Sequence, residues 1–209
     1  MLTLFGSPNT RTVRALWTLE ETALPYEYRR LDLRGGECRQ GEYLAINPNG
    51  KVPALQDDDL ILLETNAICY YIAKAAQSPL LPECPKTQAK LMQWSDFALS
   101  ELEVAPWGLI KNERIYPDEL KLEMAQLKQT MDWEGMRAQQ ILLKGISSSG
   151  YLLESGFSLA DIHNCVALMM HFKVGLQVMP ELMDYLKRCI DRPAIGRMVE
   201  MGEIAPISL

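Results

Sequence analysis

Several side chains in this sequence are of the types that bind or activate small polar ligands. Ser7 follows the apolar run Leu2-Thr3-Leu4-Phe5-Gly6 and precedes Pro8, so its hydroxyl lies where a strand ends and a helix is about to start. Thr10 and Asn9 offer a second hydroxyl and a side-chain amide in the same turn. Lys51 and Arg39 are cations able to hold carboxylates, and Glu64 is an anion able to hold an ammonium. Thr65 directly follows Glu64 and opens a helical pattern, so it presents a hydroxyl and an amide at a helix N-terminus, where the dipole favours anions. Taken singly these residues have plain readings: Lys51, Arg39 and Glu64 as solvated charges, Thr65 as an ordinary cap, Ser7 as a turn residue before proline.

Other chemistries are poorly provided for. The five cysteines, Cys38, Cys69, Cys84, Cys165 and Cys189, are scattered and form no Cys-x-x-Cys pair, which argues against a zinc knuckle or a dithiol redox motif. Free thiols in a reducing, cytoplasmic compartment are the expectation. Only His163 and His171 are available as imidazole ligands, so no metal site is expected. A net charge of −6 opposes nucleic-acid binding, which needs a basic face. No apolar run approaches the roughly 20 residues of a membrane span, and the apolar start is too short for a signal-peptide core.

The elements that must position these residues come in two styles. Over the first eighty residues strand and helix signals alternate. Leu2 to Phe5 reads as a strand, and Thr10 to Ala23 as a helix with Val13, Leu16, Trp17 and Leu19 on one face. Tyr26 to Leu33 alternates with period two. Asn47-Pro48-Asn49-Gly50 is a turn, because Pro48 presets φ while Asn49 and Gly50 tolerate left-handed geometry. Val52 to Leu55 and Leu60 to Leu63 flank Gln56-Asp57-Asp58-Asp59 as a hairpin, and a helix follows from Thr65. The three prolines of Ser78 to Pro85 mark a linker, after which Gln88–Ile110, Pro117–Leu143, Ser158–Phe172 and Pro180–Asp191 all carry helical periodicity. Within the helical part, Ser158 and Asp161 have the spacing of a reciprocal N-cap, a structural feature.

This order of elements, with two of its motifs, resembles the cytosolic glutathione transferases. Asn47-Pro-Asn-Gly-Lys-Val-Pro-Ala-Leu55, followed nine residues later by Glu64-Thr65, is similar to the signature of that family. Tyr151-Leu152-Leu153 leading into Phe157-Ser158-Leu159-Ala160-Asp161 is similar to its buried capping box. The likeness runs from Leu2 to about Pro193. It implies an α+β thioredoxin-like domain of βαβ-ββα order over residues 1–77, a linker over 78–86, and an all-helical domain over 87–209. It further implies glutathione as co-substrate with no bound cofactor, a small electrophile as second substrate, a homodimer, and a cis peptide at Pro53.

Glutathione is an extended peptide with two carboxylates, an ammonium and a thiol, and the residues match it. The backbone of Val52, before Pro53, can exchange both main-chain hydrogen bonds with the peptide, as in strand augmentation. Glu64 would hold the γ-glutamyl ammonium, Thr65 the γ-glutamyl carboxylate, and Lys51 with Arg39 the glycyl carboxylate. Cys38 stands where the family often has a histidine for that carboxylate, which shifts the task to Arg39 and Lys51. The nucleophile must be the thiolate, and lowering a thiol near 8.5 by about two units, so that it ionises at neutral pH, takes about 2.7 kcal/mol. Ser7 matches the catalytic serine of the theta and zeta classes. Thr10 matches the phi-class serine if the shared Gly-x-Pro is aligned instead, and Asn9 is a third donor. Serine in place of the cysteine of omega-type enzymes disfavours thiol reduction, and Pro8-Asn9 replace the middle of the zeta loop, which disfavours cis-alkene isomerisation. The electrophile pocket is expected between the Ser7 loop and the first long helix of the second half, where Met92, Trp94, Phe97 and Trp107 are candidates by spacing, although such stripes are more often core than pocket. Two other readings stay open: disulfide or peroxide chemistry through bound glutathione, and a non-catalytic binding protein of the same fold.

Overall fold

The computed structural model describes residues 1–206. Its elements fall into two compact units, one made of Met1–Leu81 together with residues 191–206, the other of Pro82–Ile190.

The first unit carries a four-stranded sheet in the order β2-β1-β3-β4. Strand β1 (Leu2–Gly6) leads through a turn into helix α1 (Thr12–Thr22) and strand β2 (Tyr26–Arg30). After a 3₁₀ turn at Glu37–Arg39 and the single-turn helix α2 (Gly41–Leu44) come β3 (Ala54–Asp57), β4 (Leu60–Leu62) and helix α3 (Thr65–Ala75). β1 runs parallel to β2 and antiparallel to β3, so Leu4 lies between Tyr28 and Leu55. The central strand β1 buries Leu2, Leu4 and Phe5, so it is covered on both faces, whereas the edge strand β2 keeps only Tyr26 and Tyr28 half-buried. That difference follows from position: an inner strand covered on two sides needs a continuous apolar run, an edge strand only one face. Leu16, Trp17 and Leu19 of α1 and Ile68 and Ile72 of α3 complete the core without exposure. This is the thioredoxin-like βαβ-ββα arrangement expected from the sequence.

The second unit is entirely helical. It comprises α4 (Pro85–Phe97), a π-helical turn (Ala98–Leu102), α5 (Val104–Arg114), α6 (Met124–Gly145), α7 (Leu159–Lys173) and α8 (Met183–Ile190). Ser158 and Asp161 form the reciprocal cap of α7, and Asp161 also accepts from the Leu152 amide at 2.9 Å and from the Tyr185 hydroxyl at 3.1 Å.

Beyond shifted element ends, such as α6 beginning at Met124 rather than Pro117 and β2 ending at Arg30 rather than Leu33, three features differ from the sequence reading. The expected single helix over 88–110 is broken by the π turn, and Pro106 supplies the reason. It has no N–H to give the carbonyl four residues back, Leu102, and that carbonyl instead accepts from His171 Nε2 at 2.9 Å. Leu80 and Leu81, read as linker, are buried in the first unit. Finally, residues 191–206, expected in the helical domain, pack with the first unit. They add helix α9 (Pro193–Glu200), whose N-cap Arg192 and whose Arg197 pair with Glu21 and Glu20 on α1. Periodicity marks a helix but not the surface that buries it.

Candidate functional site

One cleft of the first unit is lined by Arg11, Asn47, Asn49, Lys51, Val52, Pro53, Leu63, Glu64 and Thr65. Five of the residues singled out in the sequence, Lys51, Val52, Pro53, Glu64 and Thr65, therefore meet in one place.

The loop that delivers Lys51 to Pro53 is held from below. The Tyr43 hydroxyl and the Asn47 side-chain amide both donate to the Lys51 carbonyl, at 2.6 and 2.7 Å. Burial raises the Tyr43 phenol to about 12, so it stays protonated and keeps donating. Asn47 Oδ1 also accepts the Asn49 amide, and the Asn47 carbonyl accepts the Gly50 amide. Gly50 has φ +57, and a Cβ there would lie 2.9 Å from the Cys38 carbonyl oxygen. Only glycine lets the loop close against the 3₁₀ turn. The Val52–Pro53 peptide is cis. Ladder pairing starts at Ala54, so the Val52 N–H and C=O lie outside the sheet.

Glu64 and Thr65 begin α3. The Ile68 amide donates to the Glu64 carbonyl, which leaves the first-turn amides, Thr65 among them, without intrahelical acceptors. Glu64 has φ +66 and ψ +121. For a side-chain-bearing residue this is a sparsely populated conformation costing about 1–3 kcal/mol, of the kind that clusters at ligand clamps. Glu64, Thr65, Lys51 and Arg11 thus line one cleft together with Val52, whose backbone lies outside the sheet. Such a set can hold an extended, zwitterionic peptide.

Three sequence-picked residues lie elsewhere. Arg39 is exposed on the 3₁₀ turn and is not among the residues lining the cleft. Cys38 is buried with Phe5, Leu31, Tyr43 and Ala54. Its thiol is pushed up by desolvation and then by neighbouring Glu37, so it is a core residue. Ser7, 8% exposed at the end of β1, does not line the cleft directly; its turn reaches it through Arg11. The Ser7 carbonyl accepts from the Thr10 hydroxyl at 2.6 Å, and its amide donates to Thr12 Oγ1 at 3.2 Å. Among the aromatic candidates, Trp94 is core: it stacks edge-on against Phe97 and fills the space a Cβ on Gly145 would need.

Arg11, not singled out in the sequence, also lines the cleft. A signal was present: a cation at the start of a helix opposes the macrodipole, so Arg11 as N-cap of α1 suggests a nearby anion. Among the described residues there is no cluster of three or more candidate metal ligands, and no helix long and apolar enough to cross a membrane.

Comparison with known proteins agrees with this geometry. Residues 1–74 match the family model "Glutathione S-transferase, N-terminal domain", and residues 121–193 match "Glutathione S-transferase, C-terminal domain". Glutathione S-transferase GstB of Escherichia coli K12 is 32% identical over 205 residues, covering 95% of this chain and 98% of the relative. Glutathione S-transferase PARB of Nicotiana tabacum is 31% identical over 171 residues, 76% of each chain. Among solved structures, a glutathione transferase homolog from Sulfitobacter with bound glutathione superposes with a TM-score of 0.83 at 28% identity, covering 97% of this chain and 99% of that one. With the fold, the cleft and these matches in agreement, the chain belongs to the cytosolic glutathione S-transferase superfamily.

Proposed function

We propose that this protein binds glutathione in the Arg11–Thr65 cleft and activates its thiol for attack on a small apolar electrophile. The observation that carries the reading is the convergence of Lys51, Val52, Pro53, Glu64 and Thr65 on a single cleft, joined to the same fold in a relative solved with glutathione. The Val52 backbone pairs with the peptide's backbone, Glu64 takes its ammonium, Thr65 and the α3 N-terminus its γ-glutamyl carboxylate, and Lys51 its glycyl carboxylate. Arg11 stands in for the role expected of Arg39, being the second cation on the cleft wall.

Thiol activation is assigned to Ser7. Thr10 is the poorer donor, because its single hydroxyl proton already serves the Ser7 carbonyl while its oxygen accepts the Thr12 amide at 3.2 Å. Among the described residues the Ser7 hydroxyl has no such commitment. The test is retention on immobilised glutathione, then conjugation against a panel of small electrophiles. Retention without turnover on any electrophile favours the non-catalytic relative, and absence of retention overturns the site. We further propose a homodimer, following the family pattern; a monomer mass by light scattering at micromolar concentration overturns that.

A further inference from the structure

The turn from Ser7 to Arg11 is held by a part of the chain almost two hundred residues away. Asn9 has φ +57, a left-handed conformation uncommon for a residue with a side chain, and its amide donates to the Glu203 carbonyl at 2.9 Å. Glu203 itself is firmly anchored. Its carboxylate, 3% exposed, accepts from the Tyr28 hydroxyl at 2.7 Å and pairs with Arg30 at 3.1 Å. The same Arg30 donates to the Gly202 carbonyl at 2.9 Å. Tyr28 and Arg30 belong to β2, and Arg30 is in register with Gly6, the last residue of β1 before the turn. The Leu31 amide donates to the Gly6 carbonyl at 2.7 Å, extending that register. Gly202, at φ +72, turns the chain back after α9, and Ile204 is buried beyond it.

A buried carboxylate is costly to desolvate unless fully partnered, and here its partners are two residues of one strand. The segment therefore has one seating, with its carbonyl aimed at the turn. Asn9 lies two residues from Ser7 and two from Arg11, so fixing its amide fixes both neighbours.

We propose that Glu203 is a positioning residue for thiol activation: the segment Gly202–Ile204 braces the turn that carries Ser7 and Arg11. This rests on the proposed reading of Ser7 as donor to glutathione. Glu203 touches no reacting atom; it acts through the Asn9 amide. Loosening the brace lets the turn drift, so the Ser7 hydroxyl loses its alignment with the thiolate while the Lys51–Pro53 and Glu64–Thr65 contacts to the peptide stay.

The test compares wild type, Glu203→Ala, Glu203→Gln and Tyr28→Phe, measuring glutathione affinity by calorimetry and the bound thiol's pKa by ultraviolet absorbance against pH. Glu203→Ala should raise that pKa by about one unit, a tenfold loss of thiolate at pH below both values, with affinity kept. Glu203→Gln, still an acceptor for Tyr28, should recover most of the shift, and Tyr28→Phe should show a smaller rise. If Glu203→Ala does not fold, Tyr28→Phe and Glu203→Gln decide the matter. A lower melting temperature with the thiol pKa unmoved in every variant overturns the brace alone. A wild-type bound thiol that titrates at its free value overturns the reading of the site, and the brace with it.

Discussion

The Thr10 hydroxyl donates to the Ser7 carbonyl at 2.6 Å, closing the turn between β1 and α1 from within. The Thr10 hydroxyl is thereby engaged in the turn, and the proposed reading gives thiol activation to Ser7. Ser7→Ala should raise the pKa of bound glutathione toward the free thiol value of about 8.5, with little change in affinity. Thr10→Ala should cost about 1 kcal/mol of stability for the lost turn bond and move the thiol less. Thiolate absorbance against pH for both variants decides; a rise in Thr10→Ala alone transfers the role to Thr10.

The cleft residues should separate binding from fold. Glu64→Ala, Thr65→Ala and Arg11→Ala should each weaken glutathione binding by about 1.5–3 kcal/mol, the range of a lost charge-assisted hydrogen bond. Arg39→Ala, on an exposed turn outside the cleft, should leave affinity near wild type. Calorimetric titration checks all four. A large loss in Arg39→Ala with none in Arg11→Ala would reverse the assignment of the second cation.

Ser158 and Asp161 should prove structural. Their reciprocal bonds cap α7, and Asp161 also holds the Leu152 amide and the Tyr185 hydroxyl. Ser158→Ala should cost about 1 kcal/mol, the usual worth of an N-cap, and Asp161→Ala more, because it strands several buried donors at once. Melting temperature and turnover measured together are the check; lost turnover at unchanged melting temperature contradicts a purely structural role.

His171 should make the protein acid-sensitive. Its Nε2 faces the Leu102 carbonyl, so the proton is there, and its Nδ1 faces the Gln139 side-chain amide nitrogen at 3.5 Å. That amide's orientation is set, since Gln139 Nε2 donates to the Gln177 carbonyl and Oε1 accepts the Met179 amide. A second proton on the ring would meet a donor. Burial lowers the His171 pKa, with the Leu102 bond and Asp132 opposing. Above about pH 6.5 both folded and unfolded states are neutral and the stability is fully present. Below it the unfolded chain takes up a proton that the folded one refuses, so stability falls until the lowered folded value is reached. Melting curves from pH 8 to 5 should show this loss at about 1.4 kcal/mol per pH unit within the window. His171→Gln, less stable overall, should lose most of that slope.

Much of this protein was legible in its residues. Alternation from Tyr26 to Leu33, of which Tyr26–Arg30 is the strand, the helical spacing of Leu16 and Leu19, the turn at Asn47–Gly50 and the Ser158–Asp161 pair are local signals, readable because period and turn chemistry depend on near neighbours. The motif around Val52-Pro53 and Glu64-Thr65 was visible for the same reason. Tertiary structure decided what local signals leave out. Cys38 and Arg39 are adjacent, yet one is core and the other solvent-exposed, because the 3₁₀ turn points successive side chains in different directions. Arg11 joined the cleft only when the β1–α1 turn was folded against the Lys51 loop. Pro106 left the Leu102 carbonyl orphaned, and the partner that satisfied it, His171, came from 69 residues along the chain. Glu203 is an ordinary acidic residue in sequence, and it became a buried anchor because Tyr28 and Arg30 of an edge strand receive it. Long-range pairing of polar groups is set by which surfaces meet, and periodicity does not encode that.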